Sequence, residues 1–434
     1  MAETNAPTPA APARSFIAAA TIGNALEFYD FITYAFFSIQ IGHAFFPSHN
    51  PYASLMLSLA TFGAGFITRP IGGIVIGAYS DRVGRRPAMM LSFTLMGSAI
   101  VALALIPSYS AIGIAAPILA VICRMVQGFS LGGEVGPTTA YLLEAAPLKS
   151  RGLAVSWQGA SQLIAATTAG LVGVGLSHVL SPALLDGYGW RIAFLLGAIT
   201  VPFGLWVRRG MPETLHAPEP PRTGDQAETR LGLARQNGRI ITLAFVYLAA
   251  GTISTYVINY LTTFAQSTLH MAPGVSFLGG ALGNLSGVVA ILLGGWLSDR
   301  IGRRPVMIWP NLVYAIVTVP LFFWIVQSRS AAALLVGSTA LGFLSSLSGG
   351  AFYAALAETL PKRIRGSAFA IVYAFAIALF GGTTQLVVTW LIKATGSAMA
   401  PAWYLLAASI FGQIALMLIL ESAPVKAPVL APAE

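Results

Sequence analysis

Gly77-Ala-Tyr-Ser-Asp-Arg-Val-Gly-Arg-Arg-Pro87 and Gly295-Trp-Leu-Ser-Asp-Arg-Ile-Gly-Arg-Arg-Pro305 are one loop written twice, with eight of eleven positions identical at an offset of 218. A second element repeats with it. Glu144, Pro147, Arg151 and Gly152 return as Glu358, Pro361, Arg365 and Gly366 at an offset of 214. Each copy joins apolar runs of about helix length. Two equivalent halves built by duplicating a helical unit, with a site between them, make a transporter plan.

Composition places this repeat in a membrane. Of 434 residues, 56% are hydrophobic and 9% charged. A soluble domain carries about a quarter charged residues, so this chain is not an ordinary soluble enzyme or a disordered protein. The apolar runs are too long for the alternating strands of a barrel, and a helix satisfies its own backbone in lipid. The expected fold is an all-α membrane protein of twelve transmembrane helices in two pseudo-symmetric six-helix bundles. The spans are expected near 16–45, 53–80, 88–107, 112–142, 152–178 and 190–208, then 240–266, 275–298, 305–326, 331–358, 366–393 and 402–421. The expected divisions are a disordered tail (1–14), a first bundle (15–208), a cytoplasmic linker (209–238), a second bundle (239–421) and a C-terminal tail (422–434). The apolar run after Arg14 exceeds a signal-peptide core and is expected to be retained.

The formal charge of +9 does not point to nucleic acid, because the basic residues cluster between apolar runs. With the N-terminus inside, nineteen of the twenty-four Lys and Arg residues fall on the cytoplasmic side. That asymmetry places both termini in the cytoplasm of an inner-membrane protein. The single cysteine, Cys123, lies in an apolar run and reads as packing. There is no nucleotide-binding loop and no His, Cys or carboxylate cluster at metal-ligand spacing, so no enzyme activity, cofactor or metal is expected.

Five charges lie within spans, all in the first half: Glu27, Asp30, Arg69, Arg124 and Glu134. Each costs about 2.5–3.5 kcal/mol at mid-membrane and normally faces a cavity with a partner. At 1.5 Å per residue, Glu27 and Asp30 lie roughly 17 and 21 Å into span one, Arg124 roughly 18 Å into span four and Arg69 roughly 24 Å into span two. Glu27 and Asp30 share a helix face, and crowding two carboxylates in apolar surroundings favours proton uptake. Glu27, Asp30 and Glu134 are therefore the candidate proton-coupling residues. A permanent Asp30–Arg124 pair holding spans one and four together is the purely structural alternative. Arg69 and Arg124 are the intramembrane cations, and a guanidinium fork suits a carboxylate substrate. The second half offers uncharged groups instead: Tyr256, Asn259 and Tyr260 on span seven, Asn284 on span eight and Gln385 on span eleven. Of these, Tyr256, Asn259 and Gln385 join the two arginines as candidate substrate-binding residues. The five histidines sit near the outer surface or in the linker, which disfavours a buried histidine relay.

These pieces resemble the major facilitator superfamily. The repeated loop matches its signature, Arg124-Met-Val-Gln-Gly128 its second common motif and Met211-Pro-Glu-Thr214 a third. Within it the chain looks like the metabolite–proton symporters, through Leu26-Glu27-Phe28-Tyr29-Asp30, Phe66-Ile67-Thr68-Arg69-Pro70, Gln127-Gly128-Phe129-Ser130, Glu134 and Trp190-Arg191. Ser156-Trp157-Gln158-Gly159 and Phe380-Gly381-Gly382-Thr383 look closest to the citrate-type branch. The resemblance implies proton-coupled uptake of a small organic carboxylate, citrate or a related tricarboxylate, by a monomer in the lipid bilayer. Its alternatives are 2-oxoglutarate, shikimate or a zwitterionic osmolyte such as proline or betaine. A non-transporting sensor of the same fold is the other class. The resemblance also implies an inner gate in which Asp81 and Arg82 meet the start of span eleven near Arg365, with Arg85 or Arg86 paired to Glu144. The repeat extends this gate to Arg151, Asp299, Arg300 and Glu358, with the stronger lock expected at Asp81.

Overall fold

The computed structural model describes residues 24–25, 28–132, 148–209, 237–359, 365–419 and 421–422. Glu27, Glu134, Glu144, linker residues 210–236, the N-terminal tail and residues 423–434 lie outside them, as do the side chains of Asp81, Arg85, Arg86 and Arg365.

Twelve helical spans succeed one another among the described residues. Span one is helical over 28–36 and continues as Ser38–Phe45. Span two runs Pro51–Ile67 and Arg69–Val83, span three Arg85–Leu105, span four Ala115–Leu131, span five Arg151–Val179 and span six Trp190–Arg209. The second half repeats the plan as Gly238–Ser267, Pro273–Ile301, Arg303–Ser328, Ala331–Thr359, the broken span eleven (Arg365–Ala376 and Gly382–Thr395) and Ala400–Leu418. Eight helices are long and apolar enough to cross a membrane, with Met90–Leu105 and Ala115–Leu131 shorter but apolar. The longest, at 30 residues, extends about 45 Å and so overreaches the hydrocarbon core of about 30 Å. Ile74 (74% exposed) and Ile199 (69% exposed) belong to the apolar surface that the helices turn outward.

The repeated loop has one backbone requirement in both copies. Gly84 and Gly302 have φ of 124° and 103°, a region that side-chain-bearing residues rarely adopt. Each glycine makes a one-residue corner between adjacent spans, two to three and eight to nine.

Within the first half, span four packs on spans two and three, and span three on span six. Within the second, span ten packs on spans eight and nine, and span twelve on spans seven and nine. The halves meet where spans five and eight cross and where span two meets span eleven. Small residues allow this approach, as in membrane helix pairs generally. A Cβ at Gly170 would lie 2.9 Å from the Ala281 Cβ, and one at Gly63 would lie 2.7 Å from the Gly382 carbonyl oxygen.

Two expected helix boundaries change. Span four begins after a short helix, Tyr109–Ile112, because Gly113 turns the chain at φ 59°. Span eleven is not continuous: residues Ile377–Gly381 form a π-helical turn. There Gly381 packs against Phe66 and Tyr256, and Gly382 against Phe66 and Gly63. Such widened turns often mark functional positions.

Candidate functional site

A cavity of about 110 Å³ lies between the halves. Span one contributes Phe28 and Ile32 to its wall, span five Gln162, span seven Tyr256 and Asn259, span eight Asn284 and span eleven Tyr373. Gln162 Nε2 donates to the Tyr373 hydroxyl at 3.1 Å and so bridges the halves. Asn284 Nδ2 donates to Asn259 Oδ1 at 3.0 Å and to the Gly280 carbonyl at 2.9 Å. That fixes the orientation of Asn259, whose own Nδ2 is buried with no protein partner among the described residues. A few oriented polar groups in a mostly apolar concavity are what a small-molecule site requires. Tyr256 and Asn259 thus stand where the sequence places them. Gln385 does not: it is fully buried on span eleven, outside the cavity wall, with neither amide atom hydrogen-bonded.

The intramembrane charges form a cluster behind this wall. Asp30, Arg69 and Arg124 are buried, Arg124 completely. Arg124 Nη1 donates to Gln127 Oε1 at 2.6 Å, while its Nε and Nη2 have no partner among the described residues. Arg69 Nε and Nη2 are likewise unpartnered, as are both carboxylate oxygens of Asp30. The permanent Asp30–Arg124 pair is therefore not made in this state.

Aromatic rings hold the guanidinium groups instead. The Phe31 ring centroid is 4.4 Å from the Arg69 guanidinium carbon and 4.3 Å from that of Arg124. Arg69 also lies 4.4 Å from the Phe66 ring, and Arg124 lies 4.5 Å from Tyr34. A ring face stabilises a cation by roughly 0.5–2 kcal/mol or more when desolvated. It leaves the N–H edges free, and that is the edge a carboxylate binds. Phe66 in turn meets Tyr256 edge-on, with ring centroids 5.6 Å apart. The path from Arg69 to the cavity is therefore one aromatic layer thick. Phe31 and Phe66 were not among the expected site residues, since an aromatic on an apolar helix reads as packing.

The ends of the spans that carry the repeated loop hold a second polar cluster. Asp299 accepts from the Gly152 and Leu153 amides at 2.8 and 2.9 Å, capping the start of span five. It joins a span of the second half to one of the first. Arg303 Nη1 donates to Asp299 Oδ1 at 2.7 Å, and Arg303 Nη2 to Glu358 Oε1 at 2.8 Å. Glu421 accepts from the Arg303 and Arg304 amides at 2.8 and 3.1 Å, capping span nine.

Arg303 and Glu421 were not expected here, whereas Arg300 was. Arg300 instead stacks 4.0 Å from the Trp296 ring, a neighbour on its own helix face. The signal for Arg303 was present, since it is the copy of Arg85 at the same offset of 218. Arg82 is exposed, and Arg151 is half-buried with its Nε unpartnered.

Two six-helix halves enclosing a mostly apolar cavity with a few oriented polar groups, and joined by an inter-half clasp on one side of it, define a multi-pass membrane transporter. A family model described as Major Facilitator Superfamily matches residues 20–293 and 281–434, and the chain belongs to that family. It is 36% identical over 393 residues to the citrate-proton symporter of Salmonella typhi, covering 90% of each chain. It is 36% identical over 397 residues to the alpha-ketoglutarate permease of Escherichia coli (strain K12), covering 89% of each. The crystal structure of a D-xylose-proton symporter matches with a TM-score of 0.77 at 20% identity, over 95% of this chain and 99% of that one. At that identity the likeness bears on fold alone.

Proposed function

We propose that the chain performs proton-coupled uptake of a small organic carboxylate, citrate or a related tricarboxylate, by alternating access. One observation carries the reading. Two buried guanidinium groups present N–H donors with no partner among the described residues, beside a buried carboxylate that likewise has no hydrogen-bond partner among them. Buried charged groups of this kind require partners. An anion satisfies the donors, and a proton satisfies the carboxylate. The relatives named above, a citrate-proton symporter and an alpha-ketoglutarate permease, support the substrate class. The second of them keeps 2-oxoglutarate as the alternative cargo.

In this reading Asp30, with Glu27 and Glu134, carries the coupling proton. Arg69 and Arg124 hold the substrate carboxylates, and Tyr256 and Asn259 orient the rest of the molecule. Gln385 acts only after span eleven rotates. The gate comprises Asp81, Arg82, Arg85, Arg86, Glu144 and Arg365 in one copy, with Arg151, Asp299 and Glu358 in the other. Residues 15–208 and 239–421 move as the two bundles, joined by the 209–238 linker. The protein acts as a monomer in the inner membrane with both termini in the cytoplasm.

The test is uptake of labelled citrate into proteoliposomes. An imposed inward proton gradient drives accumulation, and a protonophore collapses it. Uptake that requires sodium and ignores the proton gradient overturns the reading.

A further inference from the structure

A second cavity, of about 750 Å³, lies between the same two halves and farther out. Three spans give its depth independently. On span one the central cavity is lined by Ile32 and the second by Ile39 and His43. On span seven the central cavity ends at Asn259 and the second runs from the adjacent Tyr260 to Gln266, and on span eleven Ile377 is followed by Thr389. From Ile32 to His43 the rise is about 16 Å. The layer between the cavities is closed. Ser38 Oγ lies 3.1 Å from Thr263 Oγ1 across the halves, and at the inner wall of the second cavity Gln40 Nε2 donates to Gln266 Oε1 at 3.4 Å and Thr389 Oγ1 to the Tyr260 hydroxyl at 2.8 Å.

The chemistry of this outer cavity is one-sided. Its lining includes His43, Tyr52, Ser54, Tyr260, His270 and Lys393, and no carboxylate among the described residues. The Lys393 ammonium belongs to the second half, yet lies 5.9 Å from the Tyr52 ring centroid of the first. It therefore reaches across the mouth. His43 is engaged by Asp186 outside the lining, at 2.8 Å, which leaves Lys393 as the fixed charge of the cavity. Ser54 Oγ is buried in the wall with no protein partner among the described residues. A cleft lined by one sign of charge between low-dielectric walls concentrates counter-ions.

We propose that this outer cavity is a second carboxylate site, where Lys393, His270 and Ser54 receive the anion before the Ser38–Thr263 layer parts. The inference rests on the carboxylate reading above and adds a station to it. The site is shallow and wide, so it binds weakly and loads the central cavity rather than competing with it.

The experiment is citrate uptake into proteoliposomes at low and high salt, for the wild type, Lys393→Gln and Lys393→Arg. Lys393→Gln is expected to raise the half-saturating citrate concentration about three- to tenfold at low ionic strength, with the maximal rate unchanged. The difference closes at about 0.5 M salt, where screening falls to a few ångströms, and Lys393→Arg behaves as wild type. A Lys393→Cys protein on a Cys123→Ala background then tests charge within one folded sample. Aminoethyl methanethiosulfonate restores low-salt uptake, and the sulfonatoethyl reagent depresses it further. If Lys393→Gln matches wild type at low salt, or both reagents act alike, the outer site is overturned while the carboxylate reading stands. If the wild type accumulates proline and no carboxylate, both are overturned.

Discussion

Gly152, in the first turn of span five, donates its amide hydrogen to Asp299 at the end of span eight, 2.8 Å away. The two residues belong to opposite halves, so in the proposed alternating-access cycle the bond breaks when this end of the molecule opens. It also places a carboxylate at the positive end of a helix dipole. The second copy of the repeated loop thus joins the two halves in this state, and Arg303 and Glu358 hold its carboxylate in place; in the proposed cycle it acts as the clasp on the inward-closed state.

Asp299→Asn keeps the shape and one acceptor but removes the charge. A helix-terminus charge stabilises by about 0.3–1 kcal/mol, rising to ~2 when partly buried. At 1.4 kcal/mol per decade, the closed–open equilibrium shifts about two- to thirtyfold. Expected are slower turnover, little change in equilibrium affinity and stronger labelling of cysteines introduced into the cytoplasmic cavity on a Cys123→Ala background. Unchanged labelling and turnover reduce the loop to a topology signal. The same assays on Asp81→Asn rank the two copies.

Much of this arrangement is legible in the sequence, for identifiable reasons. Gly84 and Gly302 recur because one backbone corner needs positive φ twice. Asp30, Arg69 and Arg124 stand out because charge in an apolar run is costly. Tyr256 and Asn259 stand out as polar groups on such a run. Phe31 is invisible by the same logic, since its role comes from neighbours on spans two and four rather than from its own pattern. Gln385 stands out as Tyr256 and Asn259 do, but the π-turn at Ile377–Gly381 adds about one residue to a turn and rotates the rest of the helix by about 100°, and in this state Gln385 is buried outside the cavity wall.

Asp30→Asn tests the proton role. The amide cannot exchange a proton but retains the size of the side chain. Accumulation against a gradient is expected to fall to background, while exchange of external for internal citrate at equal concentrations persists. Measured together in the same vesicles, these separate coupling from binding. Accumulation at the wild-type level moves the proton away from Asp30.

The arginines and their shared ring are expected to fail differently. Arg124→Gln should abolish accumulation, and Arg69→Gln should weaken binding of the anion, because each change removes unpartnered guanidinium donors that the proposed function assigns to the substrate carboxylate. Phe31→Leu removes the ring that both guanidinium groups use, a loss of roughly 0.5–2 kcal/mol. Binding by calorimetry should weaken about two- to thirtyfold, and Phe31→Tyr should recover most of it. Wild-type affinity in Phe31→Leu would make the ring a packing element only.

Span two and span eleven touch backbone to backbone at Gly63 and Gly382, one from each half. A Cβ added at Gly63 would sit 2.7 Å from the Gly382 carbonyl oxygen, a backbone atom that cannot swing aside. Gly63→Ala must therefore push the spans apart, and overpacking of this kind costs about 1–3 kcal/mol. The contact lies beside the π-turn and Phe66, so the cost falls on the state in which the halves close over the central cavity. Turnover is expected to fall about five- to hundredfold. Binding from the outside should change far less, because in the proposed cycle the two spans part in the outward-open state. Gly175→Ala on span five is the matched control, with nothing within 4 Å of the added carbon. Its turnover should equal wild type. If Gly63→Ala transports as fast as Gly175→Ala, the close approach of spans two and eleven is not part of the transport cycle.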